Sequence, residues 1–231
     1  MSITFGPQSE IQAVGIEVDS AVLPGLLGRP AGAGGIVLFA HGSGSSRHSP
    51  RNQYVANFLR NTGIATLLFD LLTPLEESED VLSGKWRFNV EHLAVRLLQA
   101  TDWVNRQQAW RHLPVGYFGA STGAAAALIA ASRRPNLIRA VVSRGGRPDL
   151  AQASLAQVQA PTLLLVGSRD QEVLALNQTA RRQMVAPVEL LTVPGASHLF
   201  SEPGTLERVA ELSADWFVRY LVPQPGHVLP G

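Results

Sequence analysis

The sequence VGYFGASTGAAAALIAA, at residues 115–131, joins a short apolar run to an alanine-rich run through a turn that contains a serine. Val115–Phe118 has the length and hydrophobicity of a strand that is buried on both faces. Ala124–Ala131 consists of strong helix formers. Glycines lie two residues before and two residues after Ser121, and small residues there allow a sharp turn that exposes the hydroxyl. The segment therefore predicts a strand, a sharp turn and a helix, with Ser121 as a candidate nucleophile.

Short apolar runs and helical segments alternate along the rest of the chain. Further buried strands are predicted at Ile36–Ala40, Ile64–Phe69, Ala140–Ser143, Thr162–Val166 and Val188–Val193. Helices are predicted at Pro50–Arg60, in a long segment that ends near Gln107, and at Leu150–Gln157, Val173–Met184 and Leu206–Leu221. Two alternating stretches, Ile11–Val18 and Ala21–Leu27, add strands near the N-terminus. The pattern predicts an α/β fold with a mostly parallel sheet of about eight strands and helices on both faces.

The domain organisation follows from length and from the absence of a linker. We predict that residues 1–231 form a single domain, since 231 residues suit one large α/β unit. Residues 1–34 are expected to hold antiparallel edge strands, and residues 222–231, rich in Pro and Gly, a flexible tail. Only residues 144–160 separate two successive strands, which leaves room for one helix and no lid domain.

Composition excludes several classes of function. The net charge is +1, from 19 basic and 18 acidic residues without a basic run, which argues against a nucleic-acid partner. The sequence has no Cys, so disulfides, thiolate metal sites and a Cys nucleophile are excluded. No apolar run is long enough to span a membrane and no secretory signal is visible, so a cytoplasmic protein is expected. No cluster of ligand-type residues suggests a metal, and no cofactor is expected.

Residues that follow predicted strands supply candidates for acid and base, because ligands bind beyond the carboxyl ends of parallel strands. Asp170 follows Thr162–Val166 and can orient an imidazole, although it can instead cap the following helix. Asp149 is a second candidate acid, and we prefer Asp170 for its position in the loop. His198, in the loop after the last strand, can take the proton of Ser121.

The loop His41-Gly42-Ser43-Gly44, after the strand Ile36–Ala40, can stabilise an oxyanion. The glycines let its backbone approach the site closely, and we assign the two donors to the Ser43 and Thr122 N–H groups. His41 is expected to be a structural hydrogen-bonding residue rather than a base.

The predicted substrate pocket includes His41, Gly42, Arg144 and Trp86. Arg144 and Arg147 can clamp a substrate carboxylate, or can instead pair with Asp149 or Glu172.

The chain order Ser121, Asp170, His198, with a Gly-x-Ser-x-Gly turn and an upstream His-Gly-x-Gly loop, resembles the α/β-hydrolase fold. The resemblance covers nearly the whole chain, from about Gly35 to Leu221. Within that superfamily, the sequence most resembles the dienelactone-hydrolase-like group of small hydrolases. Those enzymes use a Cys nucleophile where this sequence has Ser121, so the resemblance supports the fold and the triad much more than it supports a dienelactone substrate.

These features predict a serine hydrolase that cleaves esters of small or medium acyl groups through an acyl-enzyme. A thioesterase, lactonase or perhydrolase could use the same triad, and a non-catalytic protein that binds a small ligand could keep the same fold. The expected partner is a small-molecule ester, without nucleic acid or membrane. Both a monomer and a homodimer fit the sequence.

Overall fold

The computed structural model describes residues 10–19 and 21–222, and these residues form one eight-stranded sheet. The strands are β1 Glu10–Val18, β2 Ala21–Arg29, β3 Ile36–Ala40, β4 Ala65–Phe69, β5 Val115–Ala120, β6 Ile138–Arg144, β7 Thr162–Gly167 and β8 Val188–Val193. Their order across the sheet is β1-β2-β4-β3-β5-β6-β7-β8. β2 pairs antiparallel with both β1 and β4, and all other pairs are parallel. The predicted α/β architecture is therefore confirmed.

Helices cover both faces of the sheet. They are α1 Pro50–Asn61, α2 Pro74–Ser83, α3 Val90–Arg106, α4 Thr122–Arg133, α5 Gln171–Gln183 and α6 Thr205–Leu221, with a 3₁₀ helix at Pro148–Gln157. α3, α4 and α5 contribute to one apolar cluster, and α1 and α6 contribute to a second cluster on the opposite face. Only the 3₁₀ helix connects β6 to β7, which agrees with the predicted absence of a lid domain.

The segment before Gln107 forms two helices, where the sequence predicted one long helix. α2 begins with a capping box, in which the Thr73 hydroxyl accepts from Glu76 N–H and the Glu76 carboxylate accepts from Thr73 N–H. It ends at Gly84, whose φ of 63° is a left-handed conformation that stops a helix. The chain then turns and starts α3 with Asn89 as its N-cap.

Residues 1–9, 20 and 223–231 lie outside the described residues, and so does most of the predicted tail at 222–231. Within the described part of the chain, no helix is long and apolar enough to cross a membrane.

Candidate active site

Ser121 lies in a strained turn at the carboxyl end of β5. Its φ of 51° and ψ of −121° are unusual for a residue with a side chain, and such strain is often found at functional sites. The turn is fixed by backbone bonds, since Ser121 N–H donates to Arg144 O at 3.3 Å and Ser121 O accepts from Arg147 N–H at 3.1 Å. The predicted strand, sharp turn and helix are all present.

The glycines on either side of Ser121 are required by close backbone contacts. A Cβ at Gly119 would lie 2.4 Å from the Cα of Ala124. A Cβ at Gly123 would lie 2.2 Å from Ala40 O and 2.5 Å from His41 O, at the carboxyl end of β3. The second contact packs the start of α4 directly against the loop predicted to stabilise an oxyanion.

We expect Gly123→Ala to lower the free energy of unfolding by at least about 3 kcal/mol, because the new methyl group meets carbonyl oxygens of a central strand. Gly63→Ala is the matched control. Gly63 has a φ of 83° and nothing within 4 Å of an added Cβ, so alanine there costs only about 1–2 kcal/mol of backbone strain. Urea unfolding of both variants measures the difference. Equal losses of stability would show that the contact with Ala40 is unimportant.

Asp170 and His198 are in contact. The His198 Nδ1 donates to the Asp170 Oδ2 at 2.6 Å, which leaves Nε2 as the nitrogen that can accept a proton. Asp170 occupies the N-cap position of α5, but its side chain makes no capping hydrogen bond. The alternative in which this carboxylate caps the helix is therefore not what the structure has.

The loops that carry Asp170 and His198 are joined by hydrogen bonds. Arg169 N–H donates to Ala196 O at 2.9 Å, and Gly195 N–H donates to Ser168 Oγ at 2.8 Å. Behind His198, the Glu202 carboxylate accepts from Ser197 N–H at 3.0 Å, and this bond holds the pKa of Glu202 below its usual range. Hydrogen bonds between main-chain and side-chain atoms thus hold the loops of Asp170 and His198 together.

Gly145 connects the surroundings of Ser121 to those of His198. An added Cβ at Gly145 would lie 3.6 Å from His198 Cε1, and Gly145 directly follows the residue whose carbonyl accepts from Ser121 N–H. No hydrogen bond joins Ser121 Oγ to His198 Nε2 among residues 10–19 and 21–222. Such bonds are often long without substrate and tighten when it binds.

Of the two predicted oxyanion donors, the Ser43 and Thr122 N–H groups, the first already donates a hydrogen bond within the protein. Ser43 N–H donates to the Thr122 hydroxyl at 3.0 Å. A Cβ at Gly42 would lie 3.0 Å from the Cβ of Ser121. The loop therefore lies so close to the serine that a residue with a side chain would be crowded at position 42. An oxyanion that uses Ser43 N–H must displace the Thr122 hydroxyl or share the hydrogen with it.

His41 is held by two backbone bonds. Its Nε2 accepts from Leu71 N–H at 3.1 Å, and its Nδ1 donates to Gly42 O at 3.0 Å. Burial lowers the pKa of His41, which favours the neutral imidazole that this pattern requires. The geometry fits the structural role that the sequence predicted for His41.

A cavity of about 320 Å³ lies beside the 41–46 loop. His41 and Gly42 line it as predicted, together with Leu72, Leu93 and residues of α2. Of its charged groups, Asp70 pairs with Arg47, and Asp80 pairs with Arg87. Sequence reasoning missed the contribution of α2, whose Glu77 and Val81 form part of the wall; the capping box was the available signal for that helix.

The remaining predicted pocket residues lie elsewhere. Trp86 does not line the cavity; its ring packs against His92 at 4.8 Å, and its Nε1 donates to Glu79 at 3.2 Å. Arg144 is buried at the end of β6.

Arg144 and Arg147, for which the sequence offered the same two roles, differ in their contacts. Arg147 forms a bidentate pair with Asp149 at 2.9 and 2.8 Å, and hydrogen bonding to this carboxylate raises the pKa of Arg147. Asp149, the second candidate acid, is thus engaged by an arginine. Arg144 pairs with neither Asp149 nor Glu172, so that alternative holds for Arg147 alone.

The chain resembles known proteins over most of its length. A family model described as an alpha/beta hydrolase domain matches residues 33–214. The crystal structure of a dienelactone hydrolase from Anabaena variabilis is 54% identical, with a TM-score of 0.92, and the match covers 93% of this chain and 100% of that one. A Pyrococcus furiosus esterase, 18% identical over 92% of each chain with a TM-score of 0.72, shares the fold.

Two curated proteins from Mycobacterium tuberculosis strains are 57% identical over 212 residues. Each carries a name that proposes a phosphoribosyl transferase. The match covers 92% of this chain but 46% of theirs, so the chain spans about half the length of the curated relatives it matches.

The chain belongs to the α/β-hydrolase family. Within that family it is dienelactone-hydrolase-like. The nucleophile predicted from its sequence is a serine, Ser121, and not a cysteine.

Proposed function

We propose that this chain is a serine esterase in which Ser121, His198 and Asp170 form the catalytic triad. The observation that carries the proposal is the 2.6 Å contact between His198 and Asp170, together with the strained turn that holds Ser121. In this mechanism, His198 Nε2 removes the proton of Ser121 Oγ as the oxygen attacks the ester carbonyl. Asp170 holds the imidazole in the required tautomer and stabilises the imidazolium that forms. Water then hydrolyses the acyl-enzyme with the same base.

The oxyanion is assigned to the Thr122 and Ser43 N–H groups. Thr122 N–H lies at the start of α4, where the positive end of the helix dipole also favours a negative charge. Ser43 N–H already donates to the Thr122 hydroxyl, so that this loop is held near Ser121 before substrate arrives. The developing negative charge is a stronger acceptor than the hydroxyl and takes over the hydrogen bond.

Ser121 and His198 do not line the cavity, but Gly42, whose backbone approaches Ser121, does, and we assign the acyl group to this cavity. Its size favours small or medium acyl groups. A volume of about 320 Å³ lies at the lower end of the usual range for small-molecule sites. The absence of a lid domain between β6 and β7 leaves the site without a long enclosed channel. Thioesterase, lactonase and perhydrolase activities remain alternatives for the same groups, since the fold does not fix the substrate.

The name of the mycobacterial relatives gives no reason to assign a transferase activity to this chain. Their name describes proteins of which this chain matches about half, and the matched half is the α/β-hydrolase domain. The contact between His198 and Asp170 and the strained turn at Ser121 support acyl transfer. We therefore assign the chain to ester hydrolysis.

A fluorophosphonate probe tests this proposal directly, because it reacts with a serine only when a base activates the hydroxyl. We expect stoichiometric labelling of the native chain at Ser121, located by peptide mass spectrometry. Labelling should disappear in His198→Gln and persist in His48→Gln, a control at an exposed histidine of the 41–49 loop. A native chain that does not react would instead favour a non-catalytic protein that binds a small ligand.

A further inference from the structure

The segment 144–147, at the end of β6 and just after it, holds the turn of the candidate nucleophile from both sides. Arg144 O accepts from Ser121 N–H at 3.3 Å, and Arg147 N–H donates to Ser121 O at 3.1 Å. In the part of the chain that the structure describes, no hydrogen bond joins the Ser121 hydroxyl to His198. The distance between these two side chains therefore depends on the backbone that surrounds them, and this segment is a central part of it.

The middle of the segment contacts both the loop of the base and the helix of the nucleophile. A Cβ at Gly145 would lie 3.1 Å from His198 O. A Cβ at Gly146 would lie 2.5 Å from the Cβ of Ala124, in the first turn of α4. Gly145 N–H also donates to Leu165 O of β7 at 2.7 Å. A shift of the segment would therefore change the position of the serine relative to the imidazole.

Asn177 ties this segment to the helix of the acid. It is fully buried in α5, and its Nδ2 donates to Gly146 O at 2.9 Å and to Val173 O at 2.8 Å. Asp170 is the N-cap of the same helix, and Asn177 follows it by about two turns, on the same helix face. One amide group thus connects the helix that begins at the acid with the segment that holds Ser121.

The Asn177 amide is satisfied on one side only. Its Nδ2 donates twice, whereas its Oδ1 is buried without a hydrogen bond to any described residue. A buried polar atom without a partner costs stability, and an apolar side chain of similar size would avoid that cost. What distinguishes the amide at this position is therefore the pair of hydrogen bonds that it donates.

We propose that Asn177 is a positioning residue of the triad. By holding Gly146 O, it fixes the 144–147 segment against α5 and so sets the separation at which His198 can take the proton of Ser121. Asn177 itself touches neither the substrate nor the reacting atoms. This inference rests on the proposed esterase function.

Two substitutions separate the bond to Gly146 from the other contacts of Asn177. Asn177→Leu keeps the approximate volume and removes both hydrogen bonds. Asn177→Ser removes the bond to Gly146 but can keep the bond to Val173 O, as Ser213 does in α6, where its hydroxyl donates to Val209 O at 2.6 Å. We expect both variants to lower kcat for the neutral ester 4-nitrophenyl methyl glutarate by about 10- to 100-fold, because a small displacement of reacting groups has an effect of this size.

Two further measurements separate a positioning role from a loss of structure. KM should stay within about twofold of the native value, because among the described residues none of the segment 144–147 lines the cavity assigned to the acyl group. The kcat is expressed per serine labelled at completion by the fluorophosphonate probe, so that unfolded molecules do not contribute. The rate constant of labelling should fall in parallel with kcat, since the probe needs the same activated hydroxyl.

Ser143→Ala and Thr101→Val are the matched controls. Ser143 Oγ is buried without a hydrogen bond to any described residue and lies where an added Cβ at Gly146 would be, so its removal disturbs the same glycine and leaves the Asn177 bond intact. Thr101→Val removes a buried 2.7 Å bond to the Tyr117 hydroxyl and lowers stability outside the segment. Both controls should keep kcat per labelled serine within about threefold of the native value.

The possible results distinguish failure of this inference from failure of the proposed function. A native chain that neither hydrolyses the ester nor reacts with the probe would remove both. In an active native chain, an unchanged kcat per labelled serine in the Asn177 variants would overturn the positioning role alone, and so would a rise in KM at constant kcat. A loss in Asn177→Leu but not in Asn177→Ser would assign the effect to packing or to the Val173 bond. If Asn177→Leu does not fold, Asn177→Ser alone decides.

Discussion

Ser121→Ala is expected to lower kcat for 4-nitrophenyl methyl glutarate by at least about 10⁴-fold. The alanine cannot form the acyl-enzyme, and the remaining oxyanion donors and binding contacts cannot replace a nucleophile. The variant should fold normally, because the backbone bonds at this turn involve only main-chain atoms of residue 121. Steady-state kinetics and thermal melting of the purified variant provide the two measurements.

Ser45→Ala is the matched control for this prediction. Ser45 lines the same cavity, and among the described residues its hydroxyl makes no hydrogen bond. The variant should retain activity within about threefold of the native chain, because Ser45 lines the cavity but takes no part in the chemistry. Full activity in Ser121→Ala would show that another residue is the nucleophile and would remove the basis of the proposed function.

Asp170→Asn is expected to lower kcat by about 10⁴-fold while the structure stays intact. The carboxylate now accepts from His198 Nδ1–H, which leaves Nε2 unprotonated and able to act as a base. An asparagine amide can present its NH₂ to Nδ1 and so favour the tautomer that carries its proton on Nε2. That tautomer cannot accept the proton of Ser121. The loss of activity therefore arises from the nitrogen of the imidazole ring that carries the proton.

The comparison with Asp149→Asn distinguishes between the two candidate acids. Asp149 is bound by Arg147 and makes no contact with His198 in the described residues. We expect its variant to lose no more than about tenfold in kcat, mainly through local rearrangement around Arg147. A larger loss in Asp149→Asn than in Asp170→Asn would reverse the assignment of the acid.

The sequence was sufficient to predict a mostly parallel sheet of about eight strands. The buried runs are short, continuous and separated by helices, and this pattern has few solutions other than a parallel sheet. Ser121, Asp170 and His198 were selected because each follows a strand, and backbone connectivity alone brings such positions to one edge. The choice of these three residues therefore rests on local sequence patterns.

Other features depended on contacts between distant segments. The hydroxyl of Thr122 engages Ser43 N–H across 79 positions of sequence, and no local pattern indicates which rotamer makes that bond. Arg144 and Asn52 are 92 positions apart, so a buried arginine without an acid could not be told from an ordinary surface arginine. Trp86 was assigned to the pocket because of its type, but its ring is held by His92.

The contact between Gly123 and the carbonyl of Ala40 has a consequence for protein engineering. The start of α4 meets the end of β3 there, next to the 41–46 loop that lines the cavity, and no side chain can be introduced at Gly123 without displacing main-chain atoms. Another part of the cavity wall comes from α2, where Glu77 and Val81 are exposed and tolerate replacement. A library that aims to change substrate range should therefore vary these α2 positions and keep Gly123 constant.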